Sequence, residues 1–267
     1  MNGLWLFAAV ALCGYLLAVF VLWRFQDRFI FPSYRSRRLK LDPAPSELQM
    51  IHTAQDGTAL EGFWLKNQSD RLLVWFDGNS DNVNALLPEA TNRFKNLDLL
   101  ALNYRGYGQS GGQPSQDAIL SDALDIYDTY ASNYHKVYLL GRSLGSGVAS
   151  FLAGQRPASG LILITPFRSI RDLAQARFPL IPIGFLVRHP FESWRYLQTS
   201  DLPVALLGVK KDRITPEKQA QALKKHIHSL VHEEWLEGTT HAEVINHPRY
   251  FDFIEESLGL FDAAPKS

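Results

Sequence analysis

The sequence predicts a doubly wound α/β domain carried behind one apolar helix. Three observations predict it. Residues 4–23 hold no charged side chain. From residue 49 onward, short and nearly continuous apolar runs alternate with longer stretches of helical period. A glycine-flanked serine stands where one such run gives way to a helical stretch. Composition sets the outer limits: with 27 Lys+Arg against 27 Asp+Glu, 46% hydrophobic residues and one Cys, the chain is not disordered, collagenous or disulfide-stapled. A zero net charge also argues against a nucleic-acid partner, which needs a surplus of Lys and Arg.

The charge balance is a sum of unequal parts. Residues 4–23, at about 1.5 Å of helix rise each, reach about 30 Å, the thickness of a hydrocarbon core. Trp5 and Trp23 stand at the two ends, where indoles favour the headgroup layer. Met1-Asn2-Gly3 supplies no basic n-region and Leu12 before Cys13 is bulky, so an uncleaved single-pass anchor over residues 1–23 is expected. The lone Cys excludes an intrachain disulfide. Arg24, Arg28, Arg35, Arg37, Arg38 and Lys40 against Asp27 alone make residues 24–40 net +5, so the balanced total leaves −5 in residues 41–267. A basic linker over residues 24–45 suits anionic headgroups and is retained on the cytoplasmic side, which favours a cytoplasmic domain.

Pro43 and Pro45 open the folded domain, expected over residues 46–262. Residues 49–53 and 60–65 read as a strand pair around Asp56-Gly57. Residues 72–76, 97–102, 137–140, 161–164 and 204–207 are apolar throughout or nearly so, the mark of parallel strands buried on both faces. Between them, residues 82–95, 116–132, 144–155 and 216–226 have helical character, with Ile119, Ala123, Ile126 and Tyr130 on one face of the second. A last strand at 230–236 and a last helix at 248–258 complete a mostly parallel sheet of about eight strands.

Gly141-Arg142-Ser143-Leu144-Gly145 follows the strand at 137–140 and opens the helix at 144. A strand that reverses into a helix at one residue leaves no room for side chains two positions either side, hence the two glycines. A serine hydroxyl needs a base, and the base needs an acid to fix its tautomer. In this arrangement the chain order is Ser, acid, His. Asp212 follows the strand at 204–207, and His241 follows the strand ending at Leu236. Strand C-terminal ends are where open α/β sheets place their sites.

Taken as a set, these motifs resemble the α/β-hydrolase superfamily over residues 49–258, and more narrowly the small serine hydrolases with an N-terminal membrane anchor. The matching residues are Gly141-Arg-Ser143-Leu-Gly145, the Asn103-Tyr-Arg-Gly-Tyr-Gly-Gln-Ser-Gly-Gly112 loop, Asp212 with Pro216, Gly238-Thr-Thr-His241, and Gln26-Asp-Arg-Phe-Ile-Phe-Pro32. The resemblance implies a triad of Ser143, Asp212 and His241, and an oxyanion hole from the backbone N–H groups of Leu144 and Asn79. Such donors are typically worth about 2.7–4 kcal/mol each to the transition state. Two departures stand out. Where the family has His-Gly after the third strand, this chain has Asp77-Gly78; that carboxylate either turns away to bind loop amides, which is favoured, or weakens acyl chemistry. Where the family often has His-Gly ahead of the acid, this chain has Gly208-Val209.

An insertion at about 167–201 is too short for a full lid domain. Its residues 178–187 carry no charge, and Arg168, Arg171, Arg177, Arg188 and Arg195 surround them. That pattern suits an acyl-chain wall touching a membrane surface, with Phe178, Leu180, Ile181 and Phe185 as its contacts, or else a flap that covers the sheet. No phosphate-binding G-x-x-x-x-G-K-[ST] and no metal-ligand spacing occurs, so no cofactor is expected. The chain therefore reads as a membrane-anchored serine hydrolase of carboxylic esters or thioesters, with acyl or lipid substrates. The alternatives are a serine peptidase on the same fold and a non-catalytic membrane-bound interaction protein.

Overall fold

The computed structural model describes residues 2–38 and 45–263. The first helix, α1 (Asn2–Ile30), is long and apolar enough to cross a membrane, and its most apolar part is unburied. It does not stop at Trp23 but runs on through Arg24 and Arg28 to Ile30, and α2 (Ser33–Arg38) follows after Pro32. More than half of the expected linker is thus helix rather than spacer; its residues 39–44, with Lys40 and Pro43, lie outside the described residues. The reason is burial: Phe31 inserts into the domain core beside Phe191, at 6.2 Å between rings, which fixes the chain just past the helix end.

After β1 (Gln49–Thr53), β2 (Ala59–Leu65) and β3 (Arg71–Phe76) come α3 (Leu87–Arg93) and β4 (Asp98–Leu102). The chain continues through α4 (Gln116–Ile126), β5 (Lys136–Arg142), α5 (Leu144–Ala153), β6 (Gly160–Ile164), α6 (Ile170–Arg177) and α7 (Ser193–Leu197). It closes with β7 (Pro203–Val209), α8 (Glu217–Lys224), β8 (Ser229–Leu236) and α9 (Arg249–Ala263). The eight strands form one sheet in the order β1-β2-β4-β3-β5-β6-β7-β8. β1 and β2 are antiparallel to their neighbours and the rest are parallel, as right-handed crossovers through helices require. Each strand expected from its apolar run is present.

The sheet is buried on both faces, which explains why its central strands do not alternate. One face packs Val74, Leu139 and Leu163 under Ile119, Val148 and Leu152 from α4 and α5, with Phe31. The other packs Trp75, Leu140 and Ile162 under Phe94, Phe253 and Leu258. The long helix expected at 116–132 departs from regularity: it widens into a π-helical turn over Tyr127–Ala131, where Tyr127 turns inward and donates to Pro157 O. The insertion between β6 and β7 contains α6, a short turn at Ile183–Phe185 and α7.

Candidate active site

The C-terminal ends of β5, β7 and β8 bring Ser143, Asp212 and His241 together across 98 and 29 residues of chain. Ser143 takes φ +50° and ψ −117°, a strained turn between β5 and α5. Its flanking glycines are obligatory. A Cβ at Gly141 would lie 2.3 Å from Gly145 O, and one at Gly145 would lie 2.0 Å from Phe76 O. The strain is held by Ser143 N–H donating to Ile164 O (2.9 Å) and Ser146 N–H donating to Ser143 O (2.9 Å).

Ser143 Oγ lies 2.9 Å from His241 Nε2, and His241 Nδ1 lies 2.6 Å from Asp212 Oδ2. The acid is itself held. Asp212 Oδ1 accepts from the N–H groups of Ile214 (2.7 Å) and Thr215 (2.8 Å), and Oδ2 accepts from Thr215 Oγ1 (2.8 Å). Burial pushes the Asp212 carboxyl up, but the hydrogen bonds from His241 and Thr215 outweigh it and hold the group below its ordinary value. Asp212 is therefore an anion at neutral pH, suited to stabilise an imidazolium. The Thr215 contact is an Asx-type turn closed by a hydroxyl, and Asp-x-x-Thr-Pro at 212–216 was its only trace in the sequence.

Leu144 is the first residue of α5, so its N–H has no carbonyl four residues behind it in the helix. Asn79 lies in the wall of the same cleft as Ser143 and His241, together with Gly78, Ser80 and Asp81. Two contacts fix its loop: Asn79 Nδ2 donates to Ile30 O at the end of α1 (3.0 Å), and Tyr107 Oη donates to Asn79 O (3.0 Å).

Asp77 does turn away from the cleft. Its Oδ1 accepts from Gly78 N–H (2.8 Å) and from Arg142 Nε (2.8 Å). The second bond was not anticipated. Arg142, the residue just before the serine, is buried between Asp77 and Asp81, donating Nη2 to the latter. Burial alone would lower the guanidinium pKa; the two carboxylates reverse this and raise it. Burial first, then the like charge of Asp77, push Asp81 up to about 6 despite Arg142. The signal in the sequence was the acid at position 77, where the resembled family has His; Arg142 lies inside the matching G-x-S-x-G and gave none.

The four insertion residues separate. Phe178 lines an apolar cavity of about 500 Å³ between α1 and the insertion. Leu180 and Phe185 are 88% and 95% exposed and lie outside its wall, as does Ile181. The reason is that the loop folds back at Ile183, which is the buried member. The sequence missed that α1 supplies the facing wall, through Leu22, Gln26, Phe29 and Ile30. Among the described residues, His232, Glu234 and Glu256 have the spacing of a metal site. Arg249 fills that role instead, donating to Glu234 at 2.7 Å and to Glu256 at 2.8 Å.

Comparison with known proteins agrees with this fold. A family profile described as "Serine aminopeptidase, S33" matches residues 72–199. The protein bem46 of Schizosaccharomyces pombe is 27% identical, covering 91% of this chain and 90% of its own. An uncharacterized membrane protein of Saccharomyces cerevisiae is 28% identical over 91% of this chain and 92% of its own. The alpha/beta hydrolase domain-containing protein WAV2 of Arabidopsis thaliana is 26% identical, covering 79% and 77%. Among solved structures, an alpha-beta hydrolase from Vibrio vulnificus superposes with a TM-score of 0.67 at 19% identity, covering 88% of this chain and 92% of that one. An esterase from Pyrococcus furiosus does so with 0.63 at 18% identity, covering 85% and 96%. Fold and sheet order are thus those of the α/β-hydrolase structures with which the chain superposes.

Proposed function

We propose that the protein is a membrane-anchored serine hydrolase that cleaves carboxylic esters or thioesters of acyl substrates through Ser143, His241 and Asp212. The observation that carries this reading is the unbroken relay from Ser143 Oγ to His241 (2.9 Å) to Asp212 (2.6 Å) on a strained turn. His241 Nε2 takes the serine proton as Oγ bonds to the substrate carbonyl carbon. The oxyanion then forms beside the N–H groups of Leu144 and Asn79. As the intermediate collapses, the alkoxide or thiolate leaves with the proton held by His241. Water repeats the sequence on the acyl-serine, releasing the acid and restoring the enzyme. Asp212 keeps Nδ1 protonated and faces the imidazolium with a negative charge. The apolar α1 and the membrane-protein name of the yeast relative support anchoring.

A fluorophosphonate probe tests the core of the reading. Wild type should label and Ser143→Ala should not, while far-UV circular dichroism stays the same; a folded wild type that never labels sinks it. A peptidase is the second reading, favoured by the family description and by the Asp81 carboxylate in the cleft, which suits an α-amino group. Amino-acid p-nitroanilides turned over faster than p-nitrophenyl esters would select it.

A further inference from the structure

The helix α1 does more than tether. Its last turns form one wall of the cleft that holds Ser143 and His241, through Val21, Phe25 and Phe29. The apolar cavity beside it, about 500 Å³, is walled by Leu22 and Ile30 on α1 and by Ala174, Phe178 and Ile183 on the insertion. Cleft and cavity adjoin, since Phe29 and Ile214 stand in the walls of both. The volume falls within the roughly 300–1,000 Å³ of ligand sites, and the lining is apolar apart from Gln26 and Arg177.

The insertion is fastened along α1 at two depths. At the polar end, Gln26 Nε2 donates to Leu186 O (3.0 Å) and Gln26 Oε1 accepts from Arg188 N–H (2.7 Å). Arg188 also pairs with Asp27 (2.9 Å) and covers the Trp23 ring. Further down, Tyr15 Oη donates to Leu180 O (3.2 Å). Tyr15 is about 12 Å along the helix from Trp23, at about 1.5 Å per residue. If Trp23 marks the headgroup layer, the tip of the insertion lies within hydrocarbon. That accounts for Leu180 standing 88% exposed: in water such a side chain is costly, and in lipid it is at home.

We infer that the anchor and the insertion together form the acyl-binding site of the hydrolase. The acyl chain of a membrane-resident ester lies between Leu22 and Ala174 and reaches Ser143 past Phe29 and Ile214, from the bilayer rather than from water. This rests on the serine-hydrolase reading and adds the substrate class: a long-chain acyl ester dissolved in lipid.

The test uses the full chain in phosphatidylcholine nanodiscs, with p-nitrophenyl acetate and palmitate and a small fluorophosphonate. Ala174→Trp fills the cavity from the insertion and Leu22→Trp fills it from the helix. Each should lower the palmitate-to-acetate ratio of kcat/KM by roughly tenfold or more, as loss of a hydrophobic subsite does. Persistent labelling would show the serine site intact. A ratio at the wild-type value in both labelled variants overturns the inference and leaves the serine hydrolase standing. A wild type that neither labels nor cleaves either ester overturns the enzyme reading itself, and the acyl site with it. Should a Trp variant lose labelling, the pair Leu180→Asp with Phe185→Asp carries the test, because both side chains are exposed and outside the core. That pair should lower the ratio several-fold, and an unchanged ratio overturns the inference.

Discussion

Arg142 shows how one residue accommodates an acid at position 77, where the resembled pattern has His. Two acids beside the proposed oxyanion site would oppose the charge that develops there; a guanidinium buried between them, on the same turn as Ser143, offsets them. Arg142→Met strands both carboxylates, and removing one partner of a buried pair typically costs about 3–5 kcal/mol. Urea unfolding in detergent should show a loss of that order. Asp81 makes a second prediction. Its folded carboxyl keeps a proton up to about pH 6, whereas the unfolded one releases it near 3.8. The folded state thus binds more protons between those values, so this group's contribution to stability falls as pH rises through the window and is level above it. The stability of wild type relative to Asp81→Asn should decrease across that window; a difference independent of pH would count against a raised carboxyl.

At the scale of elements, the site depends on how closely α5 approaches the end of β3. A methyl group at position 145 would stand 2.0 Å from Phe76 O and 2.8 Å from Asp77 O, both backbone atoms that cannot swing aside. Gly145→Ala must therefore separate the helix from the strand or move the loop carrying Asn79. It should destabilise by at least the ~1–3 kcal/mol of an overpacked core, and fluorophosphonate labelling should fall with it. The basic segment after α1 is likewise structural as well as electrostatic. Arg37 donates to Gly106 O (2.7 Å) and Ser110 O (3.0 Å), and Ser36 Oγ accepts from Gly108 N–H (3.0 Å). The glycine-rich loop at 103–112 is thus held by the chain that leaves α1, which gives that resembling motif a packing role.

Over the whole molecule, charge is segregated along the chain: an uncharged stretch at 1–23, a +5 segment at 24–40 and a −5 remainder. By the bias of basic residues toward the cytoplasmic side, the domain is proposed to face the cytoplasm. A reporter fused after Ser267 should be active there, and activity only outside the cytoplasm would reverse the assignment. The strands, their burial on both faces and the strained serine were legible in the sequence, because each is dictated by local chemistry. Apolar runs require two covered faces, and a one-residue reversal requires glycine on both sides. The order Ser143, Asp212, His241 was legible for a similar reason, each lying just past a strand. By contrast, the Arg142 ion cluster, the Thr215 brace on Asp212 and the wall that α1 lends to the cleft depend on contacts between segments far apart in the chain. Hydrophobic pattern fixes which faces are buried but not which distant segment covers them; only the closed structure decided that α1, expected as a tether, stands beside Ser143.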